Sequence, residues 1–122
     1  MNQGYPRSVR VAELIQAELA GMLLREVKDP RVRGVVVTKV EVSPDLGKAL
    51  VYFSRYGEAR GSDEEIEEGR EGLCRAVGFL QGKLAERLRL RRVPRLEFHV
   101  DHGIARGDHI NKLLHGLGEN AF

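Results

Sequence analysis

The 122-residue sequence contains no tryptophan, three tyrosines and four phenylalanines, so its core must be built from aliphatic side chains. It has one cysteine, Cys74, which excludes an internal disulfide and fits a reducing compartment. With no histidine placed to activate it, that thiol is expected to pack in the core as a small hydrophobe. No apolar run approaches the roughly 20 residues needed to cross a bilayer. The N-terminus has no apolar signal core ending in small residues. Arg7 and Arg10 ahead of an amphipathic stretch could imitate a transit peptide, but Glu13 and Glu18 break its acid-poor pattern. A folded first helix and a cytoplasmic location are expected instead. The chain also lacks internal repeats, low-complexity tracts, Gly/Ser linkers and a Walker-type phosphate loop. One domain spanning residues 1–122, large enough for a real core, is the expected organisation.

The net charge of +2 conceals a strong asymmetry. Between Glu58 and Glu71 stand seven acids (Glu58, Asp63, Glu64, Glu65, Glu67, Glu68 and Glu71) against two bases, Arg60 and Arg70, a local charge of −5 that leaves +7 on the rest. A basic body with one acidic end orients itself in the field of a polyanion, although solvated surface charge is the competing reading.

Hydrophobic periodicity places the elements. Val11, Ile15, Leu19, Met22 and Leu23 recur at helical spacing, so a first helix is expected over roughly Ser8 to Val27, with Ser8 as its cap. Asp29-Pro30 stops it, since proline lacks an amide donor and restricts the residue before it. Val35 to Val42 and Ala49 to Ser54 read as strands joined by Ser43-Pro44-Asp45-Leu46-Gly47, where Gly47 tolerates positive φ. Simple alternation puts Val36, Thr38, Val40 and Val42 on one face and Val35, Val37, Lys39 and Glu41 on the other. Ala49, Val51 and Phe53 likewise alternate with Leu50, Tyr52 and Ser54. One face should pack on helices while the other stays partly open. Ser62-Asp63-Glu64-Glu65 is a capping box that starts a long helix, and its acids suit the helix dipole. Ile66, Leu73, Val77, Leu80, Leu84 and Leu88 carry that helix to about Leu90. Gly69, Gly72, Gly78 and Gly82 each cost it up to about 1 kcal/mol. They imply close packing or a break, and the break is expected at Ala76-Val77-Gly78. After Pro94, Leu96, Phe98 and Val100 alternate with Glu97, His99 and Asp101 in a third strand. A short C-terminal helix capped by Asp108 follows, with Ile110, Leu113, Leu114 and Leu117 on its apolar side.

Helix, strand, strand, helix, strand is the order of a type II KH domain, an α+β nucleic-acid-binding fold with helices on one face of a three-stranded sheet. KH domains hold the sugar-phosphate backbone with a GxxG loop, and no GxxG lies between the expected helices here. The words KDPRV, VTKVEVSPDL and AxVYFS closely resemble the ribosome-binding factor A family. RSVRVAELIQAELA resembles its Arg-rich first helix, and Pro94, Leu96, Phe98, Asp101, Gly107, Leu113 and Leu114 resemble its C-terminal pattern. Ala76-Val77-Gly78 is similar to the Ala-x-Gly kink by which that family replaces the GxxG loop. Some members carry a long charged C-terminal tail, whereas this sequence stops at Phe122. The resemblance implies a KH-like domain with a kinked second helix that acts as a non-enzymatic, cofactor-free RNA binder. Its partners are implied to be the free immature small (30S) ribosomal subunit with its 16S rRNA, and an assembly GTPase. It further implies late rRNA maturation, cold adaptation and a monomeric state.

The basic residues are the candidate RNA contacts. Arg75, Gly82 and Lys83 fall away from buried Leu80 and Leu84 on a regular helix, with Arg87 at the edge of that face. Arg89, Arg91, Arg92 and Arg95 follow at the end of the helix and the start of the third strand. Arginine suits such positions because its planar fork binds phosphate oxygens in pairs and stacks on bases. The glycines, Gly78 among them, would let RNA approach the helix backbone. Arg7, Arg10 and Lys39 are further candidates, with plain solvation as their competing reading. A second class of function is a metal-dependent RNA hydrolase built on His99, Asp101, His102 and His109, near Asp108 and His115. Their spacing does not fit HExxH. A third is a protein-interaction domain using the open sheet face.

Overall fold

The computed structural model describes residues 6–56 and 62–102. In chain order they form α1 (Arg7–Arg25), a 3-10 turn (Pro30–Val32), β1 (Val35–Val42), β2 (Lys48–Arg55), α2 (Asp63–Leu88) and β3 (Arg95–Val100). The sheet order is β1-β2-β3. β1 and β2 form an antiparallel hairpin, and β3 pairs parallel to β2 after the α2 crossover. Both helices cover one sheet face. Ile15, Leu19 and Met22 of α1 and Leu73, Leu80 and Leu84 of α2 meet Val40, Val51, Phe53 and Phe98 in one core, aliphatic but for its two phenylalanines. The expected helix beyond Gly107 lies outside the described residues.

The apolar stripe of α1 is buried as its spacing predicts, but Ser8 is not the cap. The helix starts one residue earlier, and the Pro6 carbonyl accepts from the amides of Val9 and Arg10. Simple alternation fails in β1. The register passes from Val37↔Phe53 to Lys39↔Tyr52, leaving Thr38 as a bulge. An extra residue reverses the facing of everything on one side of it. Val37 and Val40, which simple alternation puts on opposite faces, are therefore both buried, while Val36, expected to share a face with Val40, is 43% exposed. The Thr38 hydroxyl donates to the Asp101 carboxylate at 2.5 Å, tying the bulge to the end of β3. In the hairpin loop the left-handed residue is Leu46 (φ 62°), not Gly47. Gly47 is held instead by its amide, which donates to Asp45 Oδ1 at 2.9 Å, and its carbonyl accepts from the Arg95 amide at 3.0 Å.

Ser62 caps α2, its hydroxyl accepting from the Glu65 amide at 3.3 Å. The helix then runs unbroken through Ala76-Val77-Gly78 to Leu88, two residues short of the expected end, and Arg89 closes it in the left-handed conformation (φ 53°). No break interrupts α2, so any bend at that tripeptide must keep helical backbone. Cys74 is exposed and does not belong to the core.

Close approach explains two glycines of α2, Gly69, where a Cβ would lie 3.2 Å from Arg55 Cδ and Val35 Cγ2, and more tightly Gly72. A Cβ on Gly72 would lie 2.9 Å from both Arg31 Cβ and Val32 Cγ1, whereas one on Gly78 or Gly82 would meet nothing within 4 Å. Gly34 has φ +83°, and a Cβ there would collide with the Tyr56 carbonyl. Arg55, at the end of β2, is nearly buried and donates to the Arg33 and Glu65 carbonyls at 2.9 Å each and to the Pro30 carbonyl at 3.3 Å. Its fourth partner is Glu68 Oε1 at 2.7 Å.

The glycines of α2 can be separated by denaturant unfolding. Gly72→Ala forces the helix off the 3-10 turn and should cost about 1–3 kcal/mol. Gly78→Ala meets open space in regular helix and should add about 0.5–1 kcal/mol. The reverse order would mean that α2 can withdraw from the turn and that Gly78 is strained.

Candidate nucleic-acid interface

The loop between α2 and β3 brings part of the arginine cluster to one place. Its Arg91 and Arg92 share an open groove with Leu90, with Arg7 from the first residue of α1, and with Asp45 and Leu46 from the hairpin loop. The groove measures about 600 Å³. Loop and hairpin are held together by the hydrogen bond between Gly47 and Arg95, and Gln81 of α2 ties the loop to the helix, its side-chain amide donating to the Pro94 carbonyl at 2.6 Å. The acid in the groove is already engaged. Asp45 accepts from the Ser43 hydroxyl at 2.7 Å and from the Gly47 amide. These bonds, then the nearby Arg92 charge, hold its carboxyl below the usual range. Arg89 and Arg95 are exposed beside the groove rather than in its wall.

A second group lies on α2. Arg75 and Gly78 are exposed, and Arg75 lines a groove of about 250 Å³ with Glu26, Val27, Lys28, Asp29, Ala76 and Phe79. Lys83 is half-buried, 5.8 Å from the Phe79 ring centroid, and 3.7 Å from Glu86. Lys28 and Phe79 did not stand out in the sequence. The spacing Arg75, Phe79, Lys83, four residues apart on one helix ridge, was the available signal for Phe79.

Other predicted contacts are diverted. Arg87 grips Glu26 with two guanidinium nitrogens at 2.8 and 2.9 Å and also reaches Glu18 at 3.5 Å. Its hydrogen bond lowers the Glu26 pKa, while Glu26 raises that of Arg87. Lys39, on the open sheet face, pairs with Glu41 at 3.2 Å and lies 4.9 Å over the Tyr52 ring. Arg10 is exposed on α1, apart from both grooves. The proposed metal set does not assemble among the described residues, where no three His, Cys, Asp or Glu side chains gather. His99 lies 3.0 Å from Glu97, Asp101 accepts from Thr38, and His109 is outside those residues. No helix among them is long and apolar enough to cross a membrane.

A three-stranded mixed sheet, backed on one face by two helices and flanked by an arginine-lined groove, is a KH-like α+β module. The family model for ribosome-binding factor A matches residues 7–114. A Syntrophobacter fumaroxidans relative named ribosome-binding factor A is 44% identical over 95% of this chain and 97% of its own length. A Pseudomonas fluorescens relative of the same name is 43% identical over 93% of this chain and 86% of its own. The crystal structure of ribosome-binding factor A from Thermus thermophilus superposes with a TM-score of 0.67 at 29% identity, covering 79% of this chain and 97% of that one. The chain belongs to the ribosome-binding factor A family.

Paired and unpaired arginines should behave differently. Arg87→Gln should lower the melting temperature, because Glu26 and Glu18 lose their partner, while the salt dependence of RNA binding stays unchanged. A shallower salt slope would show that Arg87 leaves its acids for phosphate.

The 3-10 turn carries a pH signature. Asp29 accepts from the side chain and backbone amide of Arg31, and these bonds lower its pKa from 3.8 to about 2. A depressed folded-state pKa stabilises above the ordinary value and is lost as pH falls through the folded one. The melting-temperature deficit of Asp29→Asn should therefore shrink between about pH 4 and pH 2. A constant deficit over that range would place the effect outside this titration.

Proposed function

We propose that this chain acts over residues 1–122 as one KH-like RNA-binding domain. On this reading it binds the free, immature small (30S) ribosomal subunit and assists late maturation of 16S rRNA. It works in the cytoplasm, as a monomer and a binder rather than an enzyme, and an assembly GTPase acts at its release. The observation that carries the reading is the convergence of Arg7, Arg91 and Arg92 from distant parts of the chain on one groove. None of the three forms an ion pair with a carboxylate among the described residues, and all three are exposed. Family membership and the relatives named for ribosome binding support the target.

The chemistry is that of a clamp on the sugar-phosphate backbone. Guanidinium groups bind phosphate oxygens in pairs and release counterions, which gives affinity that falls with salt. Phosphate contacts carry no base sequence, so the target is chosen by the shape of the folded rRNA. A factor of this kind promotes maturation by binding one RNA arrangement better than another, because a ligand shifts an equilibrium only by differential affinity.

Changing Arg89, Arg91 and Arg92 together to Ala should weaken binding to purified free small subunits. The salt slope should fall by about 1 for each phosphate left without its arginine. All three are exposed, so the melting temperature should hold. Wild-type protein should bind assembled ribosomes far less than free subunits. Unchanged binding by the triple variant would move the RNA face elsewhere, and equal affinity for both particles would refute the assembly role.

A further inference from the structure

We propose that the ridge of α2 formed by Arg75, Phe79 and Lys83 is a stacking site for an unpaired base of single-stranded RNA, with the Phe79 ring as its platform. The proposal rests on the RNA-binding reading and adds a base contact to its phosphate contacts, on an element away from the arginine groove.

Phe79 is out of place as a core residue. Phe53 and Phe98 are 0% and 7% exposed, while Phe79 is 43% exposed, and no other large apolar residue of α2 is exposed to that degree. A protein-docking patch would need apolar neighbours. Phe79 shares its groove with only two apolar side chains, Val27 and Ala76, and cations flank it on the helix, with Arg75 one helical turn before it and Lys83 one turn after, the ammonium 5.8 Å from the ring. Lys28 of the segment after α1 lines the groove that Phe79 and Arg75 share. The acids near this ridge have partners: Glu26 is held by Arg87, Asp29 by Arg31, and Glu86 lies 3.7 Å from Lys83. Arg75 and Lys28 have no ion pair among the described residues.

Two helix positions near the ring carry no side chain. Gly78 precedes Phe79 and Gly82 lies one turn on, and a Cβ at either would meet nothing within 4 Å. A nucleotide whose base lies on Phe79 could bring its sugar-phosphate against bare helix backbone there, with Arg75, Lys83 and Lys28 in reach of the phosphates. Aromatic rings accept every base on its π-face, and flanking cations supply the backbone contacts, which is how single strands are held without sequence choice.

The test compares Phe79→Leu, Phe79→Tyr and wild type by fluorescence anisotropy with a labelled oligoadenylate, alongside binding to purified free small subunits. Leucine keeps apolar bulk and removes the π-face, while tyrosine keeps both. Phe79→Leu should weaken oligoadenylate binding by roughly 5- to 100-fold, with an unchanged salt slope. Phe79→Tyr should bind like wild type, and Arg75→Gln should lower the salt slope by about 1. Equal affinity of Phe79→Leu and wild type overturns the proposal. So does a loss of the same size in both variants accompanied by a fall in melting temperature, which would make the ring structural. Wild type that binds subunits but not oligoadenylate refutes stacking and leaves the ribosomal reading standing. Wild type that binds neither refutes both.

Discussion

The Arg55 guanidinium lies almost out of solvent at the end of β2, and three separate stretches of chain close around it. It takes the carbonyls of Pro30, Arg33 and Glu65 and the carboxylate of Glu68. These are the 3-10 turn, the approach to β1 and the first turns of α2. Hydrogen bonds to a charged group contribute about 1.5–3 kcal/mol each, and the Glu68 carboxylate, half open to solvent, adds the weaker pairing of a surface ion pair. Beside Arg55, Gly69 and Gly72 let α2 settle against Val35 and the 3-10 turn, with Arg31 and Val32 at van der Waals distance. The strut and the glycine contact together fix where α2 starts and how it lies on the sheet. Everything further along that helix, including the Phe79 ridge and the turn that presents Arg91 and Arg92, is aimed from there.

The fold was legible where one residue type had one physical job. Helical spacing in α1, the serine cap of α2 and the β-branched run of β1 all decide locally, and each stands where the pattern puts it. The errors occurred where a distant partner decides. The Thr38 bulge is stabilised by Asp101, far along the chain, so no local pattern in β1 announces the reversal that exposes Val36. Ser8 can cap a helix, but Pro6 with a free carbonyl starts it earlier. Leu46 adopts positive φ because the Ser43 and Asp45 side chains close the loop around it, leaving Gly47 to do something else. The unbroken run of α2 has a similar cause. Two of its glycines are taken up by close packing, Gly69 on Arg55 and Val35 and Gly72 on the turn, and two face open space, so the helix has no need to break at any of them.

The candidate site was legible in charge and opaque in pairing. Composition and spacing identify which residues are basic and roughly which face they occupy. They cannot show that Arg87 is committed to Glu26, or that Arg31 and Arg55 are committed to the fold, while Arg91 and Arg92 form no ion pair among the described residues. The division has a physical logic. Arginines that hold the scaffold meet carboxylates or carbonyls from neighbouring elements, and those at the groove lie on a turn where few elements converge. The net charge of the basic body therefore overstates the number of cations available to a polyanion.

The parallel pairing of β3 with β2 governs the order in which the molecule comes together. The β1-β2 hairpin closes over a loop of a few residues and can form early, since short loops close quickly. β3 pairs with the same β2 strand across the α2 crossover, a far longer loop to close. Its first hydrogen bond outside the ladder, from the Arg95 amide to Gly47, is also the one that draws Arg91 and Arg92 against the hairpin loop. The arginine groove is thus completed by the strand whose pairing closes the longest loop. A chain still folding would present its cations scattered along flexible segments, and only the finished one would offer them at fixed spacing to a phosphate backbone. Competence to bind is in this sense a certificate of complete folding, issued by the strand that closes the sheet.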